Sequence, residues 1–381
     1  MRARDCTAVF HGRLADIPPA AWDALRPDDN PFLSHAFLAG LEAHGCLREE
    51  LGWQPHHLAL YVQDRLVGAA PAYLKYNSHG EFVFDWAWAE AYARHGLDYY
   101  PKLLCAVPYS PVEGPRLLGD GMSETLLQVL RDECLRHDLS SAHLNFLQPD
   151  AAAPADRELW LERNDWQFHW HDAGYRDFDD FLAALLPKKR KNIRQERARV
   201  AAAGVEITAL HGDELDDADW RFVHACYAAT FEQKGNYPAL TEAFLRHLGN
   251  TMPRQVVVFL ARERGERVAM AFCLRSASTL YGRYWGSLRE IPGLHFETCY
   301  YRGIEYCLRE GLRRFEPGAQ GQHKIARGFL PQRTRSFHFI AQPGFRAALR
   351  RHLAAERAQV QHWGESLQAQ SPFAAPPVEA R

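Results

Sequence analysis

Two stretches of the chain, HHLALYVQDRLVGAAPAYLKY (56–76) and VVVFLARERGERVAMAFCLRS (256–276), share one form: an apolar run, a short polar turn and a second apolar run. That is how a β-hairpin reads, with Gln63 and Asp64 in the first turn and Gly265 in the second. Similar segments follow each. After the first come the aromatic FVFDWAWAEAYARHGLDYYPK, the strand-like LLCAVPY, the helical SETLLQVLRDECLRHDL and the alternating AHLNFL. After the second come LYGRYWGS, the helical HFETCYYRGIEYCLREGL and the short RFEPG. Hairpin, strand, helix and strand recurring in both halves restrict the fold to an α/β protein of α+β type. Mixed sheets flanked by helices would form two similar layers, residues 56–146 and 256–316.

At 381 residues the chain is long enough for two domains, each with its own core. PDAAAPADRE has the composition of a linker or turn, which places the boundary near residues 150–172. The expected division is 1–165 and 166–368, the second part holding a basic helix over 187–203 and a terminal helix in PGFRAALRRHLAAERAQVQHWG. Residues 369–381 read as a disordered tail.

Hydrophobic residues make up 47% and charged residues 24%, the balance of a soluble globular protein. The formal net charge of −2 argues against a DNA coat or a general polybasic membrane binder, so any affinity for anions has to be local. The eight cysteines are scattered without CxxC spacing, which predicts reduced thiols rather than a disulfide frame or a zinc cage. No apolar run reaches the roughly eighteen residues of a membrane span, and the N-terminus lacks a signal-peptide core. A cytoplasmic protein with no transmembrane segment is expected.

The local charge is PKKRKNIRQERARV (187–200): seven Lys or Arg against one carboxylate, Glu196. Pro187 suits the first turn of a helix and Gly204 its end. Helical spacing puts Ile193, Arg197 and Val200 on one face and turns Lys188, Lys191, Arg194 and Arg199 largely elsewhere. Such a helix is either a solvated charged surface or a grip for an anion. With so few interleaved acids the cations repel one another, and a phosphate would relieve them.

The segment LPKKRKNIRQERARVAAAGVEI resembles the basic helix of Fem-type peptidyl and aminoacyl transferases, and GAQGQHKIARGFLP (318–331) resembles their Lys-containing loop ending in Gly-Phe. Together with FVFDWAWAEAYARHGLDYYPKLL, LYGRYWGS and LHFETCYY, the pattern over roughly residues 30–350 is similar to the FemAB-like group of bacterial N-acyltransferases. The resemblance implies two tandem acetyltransferase-like (GNAT) domains, with acyl transfer associated mainly with the second. Two features depart from related enzymes. The Q/R-x-x-G-x-G/A pattern that cradles a coenzyme A pyrophosphate is replaced by REIPGLHFE, and no long coiled-coil arm interrupts residues 200–256. The donor therefore stays open between acyl-CoA and aminoacyl-tRNA, either one a co-substrate rather than a tightly bound cofactor.

Acyl transfer to an amine needs a base, a group that stabilises the oxyanion and a hold on the donor's anionic handle. The candidate catalytic residues are His323, Glu297 and His295. Glu297 at a helix start is equally explained by the helix dipole. Donor-binding candidates are Lys188, Arg190, Lys191, Arg194, Lys324 and Arg283. Acceptor-binding candidates are Asp85, Trp88, Tyr284 and Gln320. In FVFDWAWAE an extended reading puts Trp86 and Trp88 on one face and Asp85 on the other, and core packing is as good an account. GRYWG reads as a strand whose flanking glycines suit a bulge, or as a core strand in which Tyr281 and Trp285 pack. His169 and His171 share a strand face without a third ligand at a recognisable spacing, so hydrogen bonding between domains is preferred to a metal and no metal site is expected. The absence of GxSxG, Walker A and Rossmann patterns removes the usual support for a hydrolase, an ATPase or a dehydrogenase.

The expectation is an N-acyltransferase moving an acyl or aminoacyl group from a phosphate-bearing donor to a small-molecule or peptide amine, with tRNA as a possible partner and DNA excluded. The rivals are a non-catalytic binder of RNA or phosphorylated ligands, and a peptidoglycan-precursor aminoacyl transferase at the inner membrane face.

Overall fold

The computed structural model describes residues 6–149, 151, 153–319 and 321–374. The chain divides into two compact units: residues up to Asp165 with Arg333–His362, and Trp166–Gln332 with the residues from Trp363 onward.

The first unit opens with β1 (Thr7–His11), α1 (Pro19–Asp23), α2 (His35–Ala43), β2 (Trp53–Pro55), β3 (His57–Val62), β4 (Arg65–Ala70) and β5 (Ala72–Lys75). It continues through α3 (Trp86–Arg94), β6 (Lys102–Cys105), α4 (Ser123–Arg136), β7 (Ser141–Leu147) and the first half of β8 (Trp160–His171). The hairpin β3–β4 forms as expected, and β1 joins it in a three-stranded sheet ordered β1-β3-β4. The larger run is ordered β2-β5-β6-β7. On one face, Leu103, Cys105, Ala142 and Leu144 pack against Leu126, Leu127, Leu130 and Cys134, which recur on α4 at helical spacing. Alternation then turns Lys75 and Lys102 to the other face, where the register sets them directly opposite each other.

FVFDWAWAE departs from the extended reading, because it is helical from Trp86 onward. Two residues along a helix lie about 200° apart, so the tryptophans part company. Trp88 is buried with Tyr92 and Leu353, whereas Trp86 is 46% exposed.

The second unit takes the remainder of β8, then α5 (Phe178–Ala184), α6 (Pro187–Ala202), β9 (Val205–His211), α7 (Asp217–Gln233), α8 (Glu242–Thr251), β10 (Val256–Glu263) and β11 (Glu266–Arg275). Next come β12 (Thr279–Ser287), α9 (Leu294–Phe296), a π-helical turn (Glu297–Tyr301), α10 (Arg302–Glu310) and β13 (Arg314–Glu316). Its strands are ordered β8-β13-β12-β11-β10-β9, antiparallel except for β12 and β13. Phe168, Trp170, Phe259, Cys273, Leu280 and Phe315 form its core with Tyr300, Ile304 and Cys307 from the helical side. Here α7 lies so close to β12 that a Cβ on Gly286 would sit 2.1 Å from the carbonyl oxygen of Cys226. Gly286→Ala is expected to destabilise the protein by about 1–3 kcal/mol, seen as a lower urea midpoint. An unchanged midpoint would show that α7 can back away freely.

Both units contain the expected succession, a hairpin followed by a strand, helix and strand that cross to a parallel neighbour: β6-α4-β7 and β12-α10-β13. The halves differ because the first hairpin belongs to a separate sheet, and residues 76–101 intervene between β5 and β6.

The last elements are β14 (Leu330–Ile340) and α11 (Pro343–Gln368). The division expected from sequence, 166–368 as one domain, is corrected here: Arg333–His362 groups with the first unit. Residues Arg335–Ile340 pair with β7, and Phe337 and Phe339 fill that unit's core. The tail expected to be disordered from 369 is ordered through Ala374, where Leu186 N donates to Pro372 O (2.8 Å) and Ala374 N to Ala184 O (3.0 Å). Residues 375–381 lie outside the described residues. No helix among the described residues is long and apolar enough to cross a membrane.

Candidate functional site

Helix α6 has two working sides. Ile193 and Val200 are buried, as the helical spacing predicts. On the same side the Arg197 guanidinium pairs with Glu297 (3.2 Å) and Glu305 (2.8 Å) and lies over the ring of Phe178. The stretch's one carboxylate, Glu196, accepts from the Tyr301 hydroxyl and from Arg327 (2.8 Å). The outer side is an open groove lined by Pro187, Arg190, Lys191, Arg194, Gln195 and Ala198. Arg190 is engaged there, donating to the carbonyls of Ala183 (3.0 Å) and Leu185 (3.1 Å) at the end of α5. Lys188, Lys191 and Arg194 are exposed, so these three cations can reach a phosphate.

Across from the inner side stands the 3₁₀ stretch Gln322–Arg327. Arg327 pins it: the guanidinium lies 3.5 Å from the centroid of the Phe296 ring, pairs with Glu196 and donates to the carbonyl of His323 (2.9 Å). Gly321, at φ +126°, has a conformation only glycine adopts easily, and a Cβ there would press on the His323 ring at 2.6 Å.

His323 is exposed at this corner, its Nε2 3.0 Å from the Tyr300 hydroxyl. Partial burial, with Lys324 and Arg327 nearby, lowers its pKa below 6.5, so the ring is neutral at pH 7. A ring whose Nε2–H donates to Tyr300 leaves Nδ1 as a free acceptor, and no partner for Nδ1 is present among the described residues. His295 stands in the same cluster, its ring 6.5 Å from that of His323 and 5.2 Å from that of Trp285. Burial, reinforced by His323, pushes its pKa down to about 4.

The strand beside them is irregular. The ladder with β11 skips Arg283, the bulge that the glycines of GRYWG suggest. β12 pairs with β13 only from Thr279 to Tyr281 but runs on to Ser287, and Trp285 in this continuation meets His295.

Several expectations for single residues change. Glu297 is 3% exposed, and its carboxylate is clamped by Arg197 and by Arg302 (2.9 Å). Burial raises its pKa against the pull of both arginines, but with both oxygens engaged it orients the π-helical turn rather than taking a proton from an amine. Lys324 is buried, and its Nζ donates to the carbonyls of Pro317 (3.3 Å), Gly318 (2.9 Å) and Ala319 (3.4 Å). It holds the loop after β13 instead of gripping a donor, and burial lowers its pKa to about 7. Arg283 is likewise removed from any donor, because its side chain is 3% exposed and paired with Glu316 (3.4 Å). Tyr284 is half-buried among Tyr227, Phe231 and Phe272. Gln320 lies outside the described residues. Asp85 and Trp88 belong to the first unit and are buried: Asp85 accepts from Ser78, Tyr99 (2.6 Å) and Lys102 (2.5 Å), so it has no oxygen to offer an amine. His169 Nε2 is 3.2 Å from Gln167 Oε1 on its own strand.

Tyr300, Phe296, Trp285 and the Glu196–Arg327 pair complete the cluster. None of these stands out in the sequence as a site residue, although Trp285 marks the bulged strand and Glu196 is conspicuous as the lone acid among cations.

The FemAB-like profile, described as peptidoglycan biosynthesis/recognition, matches residues 13–375. The chain belongs to the FemAB-like family. Membership supports an acyl- or aminoacyltransferase in general terms. The crystal structure of FemX is similar in fold to this FemAB-like chain, at 11% identity and a TM-score of 0.52 over 88% of this chain and 97% of that one. The structure of L-PGS from Bacillus licheniformis aligns at 10% identity and 0.49 over 86% and 97%. A tandem GNAT protein from the clavulanic acid biosynthesis pathway aligns at 12% and 0.44 over 89% and 99%. No curated protein matches the chain. The fold is mixed α/β throughout, in two compact units, and is similar to that of FemX.

Proposed function

We propose that the protein is an N-acyltransferase that moves an acyl or aminoacyl group from a phosphate-bearing donor, acyl-CoA or aminoacyl-tRNA, to an amine. The observation that carries this reading is the neutral, exposed His323 imidazole, held at Nε2 by the Tyr300 hydroxyl and clustered with His295, which in turn meets Trp285 of β12. Nδ1 removes a proton from the acceptor amine as its nitrogen attacks the donor carbonyl. A C–N bond forms, the C–S or C–O bond to the donor breaks, and the proton returns to the departing thiolate or ribose oxygen. Trp285, His295 and Phe296 supply a partly apolar wall at the reacting end. Lys188, Lys191 and Arg194 hold the donor's phosphate along α6.

The family's description makes an amine-bearing peptidoglycan precursor the first acceptor to try. The test is incubation with acyl-CoA and aminoacyl-tRNA donors and that acceptor, with the product read as a mass increment. Turnover with either donor supports the reading. Tight binding of donor without product from any pair would leave a phospho-ligand binder.

The donor grip has its own test. Replacing Lys188, Lys191 and Arg194 together with Ala is expected to weaken donor binding about tenfold or more at low salt, flatten its salt dependence and leave the melting temperature unchanged, because exposed charges add little to folding. Equal binding by variant and wild type at low salt would reduce the groove to a solvated surface.

A further inference from the structure

The first unit carries a buried charge cluster that the acyl-transfer reading leaves unused. Lys75 and Lys102 face each other across the β5–β6 ladder, and both are fully buried. Two like charges in directly opposed positions destabilise a sheet, and burying either ammonium costs several kcal/mol unless it is well paired. Lys102 is well paired, with Asp85 at 2.5 Å and Glu81 at 3.0 Å. Lys75 is not. Its Nζ reaches only neutral acceptors, Asn77 Oδ1 (3.2 Å) and His79 O (3.1 Å), and lies 4.0 Å above the Trp53 ring. Among the described residues no carboxylate comes within ion-pair distance of it.

The two acids are held very differently. Asp85 is locked by Ser78, Tyr99 and Lys102. Glu81 has the ion pair to Lys102, and its Oε1 makes no well-directed hydrogen bond. It hangs from a strap between β5 and α3 in which Gly80 (φ +79°) and Phe82 (φ +60°) both have left-handed backbone. The strap turns Glu81 inward while Phe82, Phe84 and Trp86 face solvent at 37%, 51% and 46% exposure. A further donor nearby has no acceptor, since Trp53 Nε1 is buried and unpartnered. Donors are therefore in excess around one weakly held carboxylate.

We infer that Lys75, Lys102 and Trp53 form a binding site for the anionic group of a ligand, a carboxylate or a phosphate, and that the Glu81 carboxylate takes that group's place in this structure. The strap is then an internal competitor that a ligand anion displaces. Burial pushes the Glu81 carboxyl up and the Lys75 ammonium down, each to about 7, as expected of charges that the cluster only partly supports.

Hydrogen exchange of the strap amides over residues 79–84, followed by mass spectrometry on the full chain, tests this. The probes are inorganic phosphate and sodium acetate, with sodium chloride at equal ionic strength as the control. In the wild type, saturation with one of the two anions is expected to accelerate exchange in the strap about tenfold, and the anion that acts identifies the ligand chemistry. Glu81→Gln should exchange faster without any added anion and bind that anion about tenfold more tightly. Lys75→Met should lose the response. If Glu81→Gln fails to fold, the wild type and Lys75→Met decide the matter. Strap exchange indifferent to both anions in the wild type, or an undiminished response in Lys75→Met, would overturn the proposal.

Discussion

His323→Ala is expected to lower turnover about a hundredfold or more, with little change in donor affinity. The ring's exposure, its anchoring by Tyr300 and its lowered pKa all favour action as a base in the neutral form. The pH dependence follows from the sign of that shift. A base works when deprotonated, and a pKa held below 6.5 means activity persists through neutral pH and falls only as the pH drops below that value. In the wild type, kcat/KM between pH 5 and 8 should show an acid limb with its midpoint under 6.5, and in His323→Ala that limb should be missing from what activity remains. Full turnover in the variant would sink the assignment and leave the fold and family standing. His295, pushed to about 4 by burial, is neutral throughout the same range and would contribute no limb of its own.

Removing the carboxylate of Glu297 should have the largest effect on stability. Its two oxygens answer Arg197 and Arg302; deleting one partner of a buried pair costs about 3–5 kcal/mol when the other charge is stranded, but here both arginines keep Glu305 (2.8 and 3.0 Å). The arginine side chains are 22% and 36% exposed, so water also recovers part of that cost, and about 2–3 kcal/mol is expected for Glu297→Ala in urea unfolding. Glu297→Gln keeps an acceptor and should lose less. The same variant separates positioning from proton transfer: as a positioning residue, Glu297→Gln retains turnover per folded molecule within about threefold, whereas loss of two orders of magnitude without unfolding would restore it as the base.

What could be read in the sequence and what could not divide along the range of the interactions. The helical period of PKKRKNIRQERARV places Ile193, Arg197 and Val200 inward, and the structure agrees, because a helix face is a local property. Why an arginine belongs on that face is not local: its partners, Glu297 and Glu305, lie about a hundred residues on. The glycines of GRYWG announce a bulge, yet Arg283 sits at its centre, where strand alternation fails, and its burial against Glu316 is illegible beforehand. In FVFDWAWAE the aromatic residues satisfy both periods, and the strand reading loses to a helix that starts at Trp86. Neither Lys75 nor Lys102 looks unusual in its own segment. Only the β5–β6 register makes them a pair.

Helix α6 presents on its outside the cations proposed to hold the donor and, through Glu196 and Arg327, fastens the segment bearing His323 on its inside. Lys188 and Glu196 are separated along the axis by about 12 Å at 1.5 Å per residue, a spacing set by backbone hydrogen bonds rather than by flexible side chains. The helix thus acts as a ruler and a phase key. One residue added between Arg194 and Glu196 would turn the two ends about 100° out of step, aiming the phosphate grip away from the imidazole although every side chain at both ends was still present. On the proposed reading, substitutions along its exposed face adjust how strongly a donor is held. A change of length would instead alter where the donor's carbonyl is delivered.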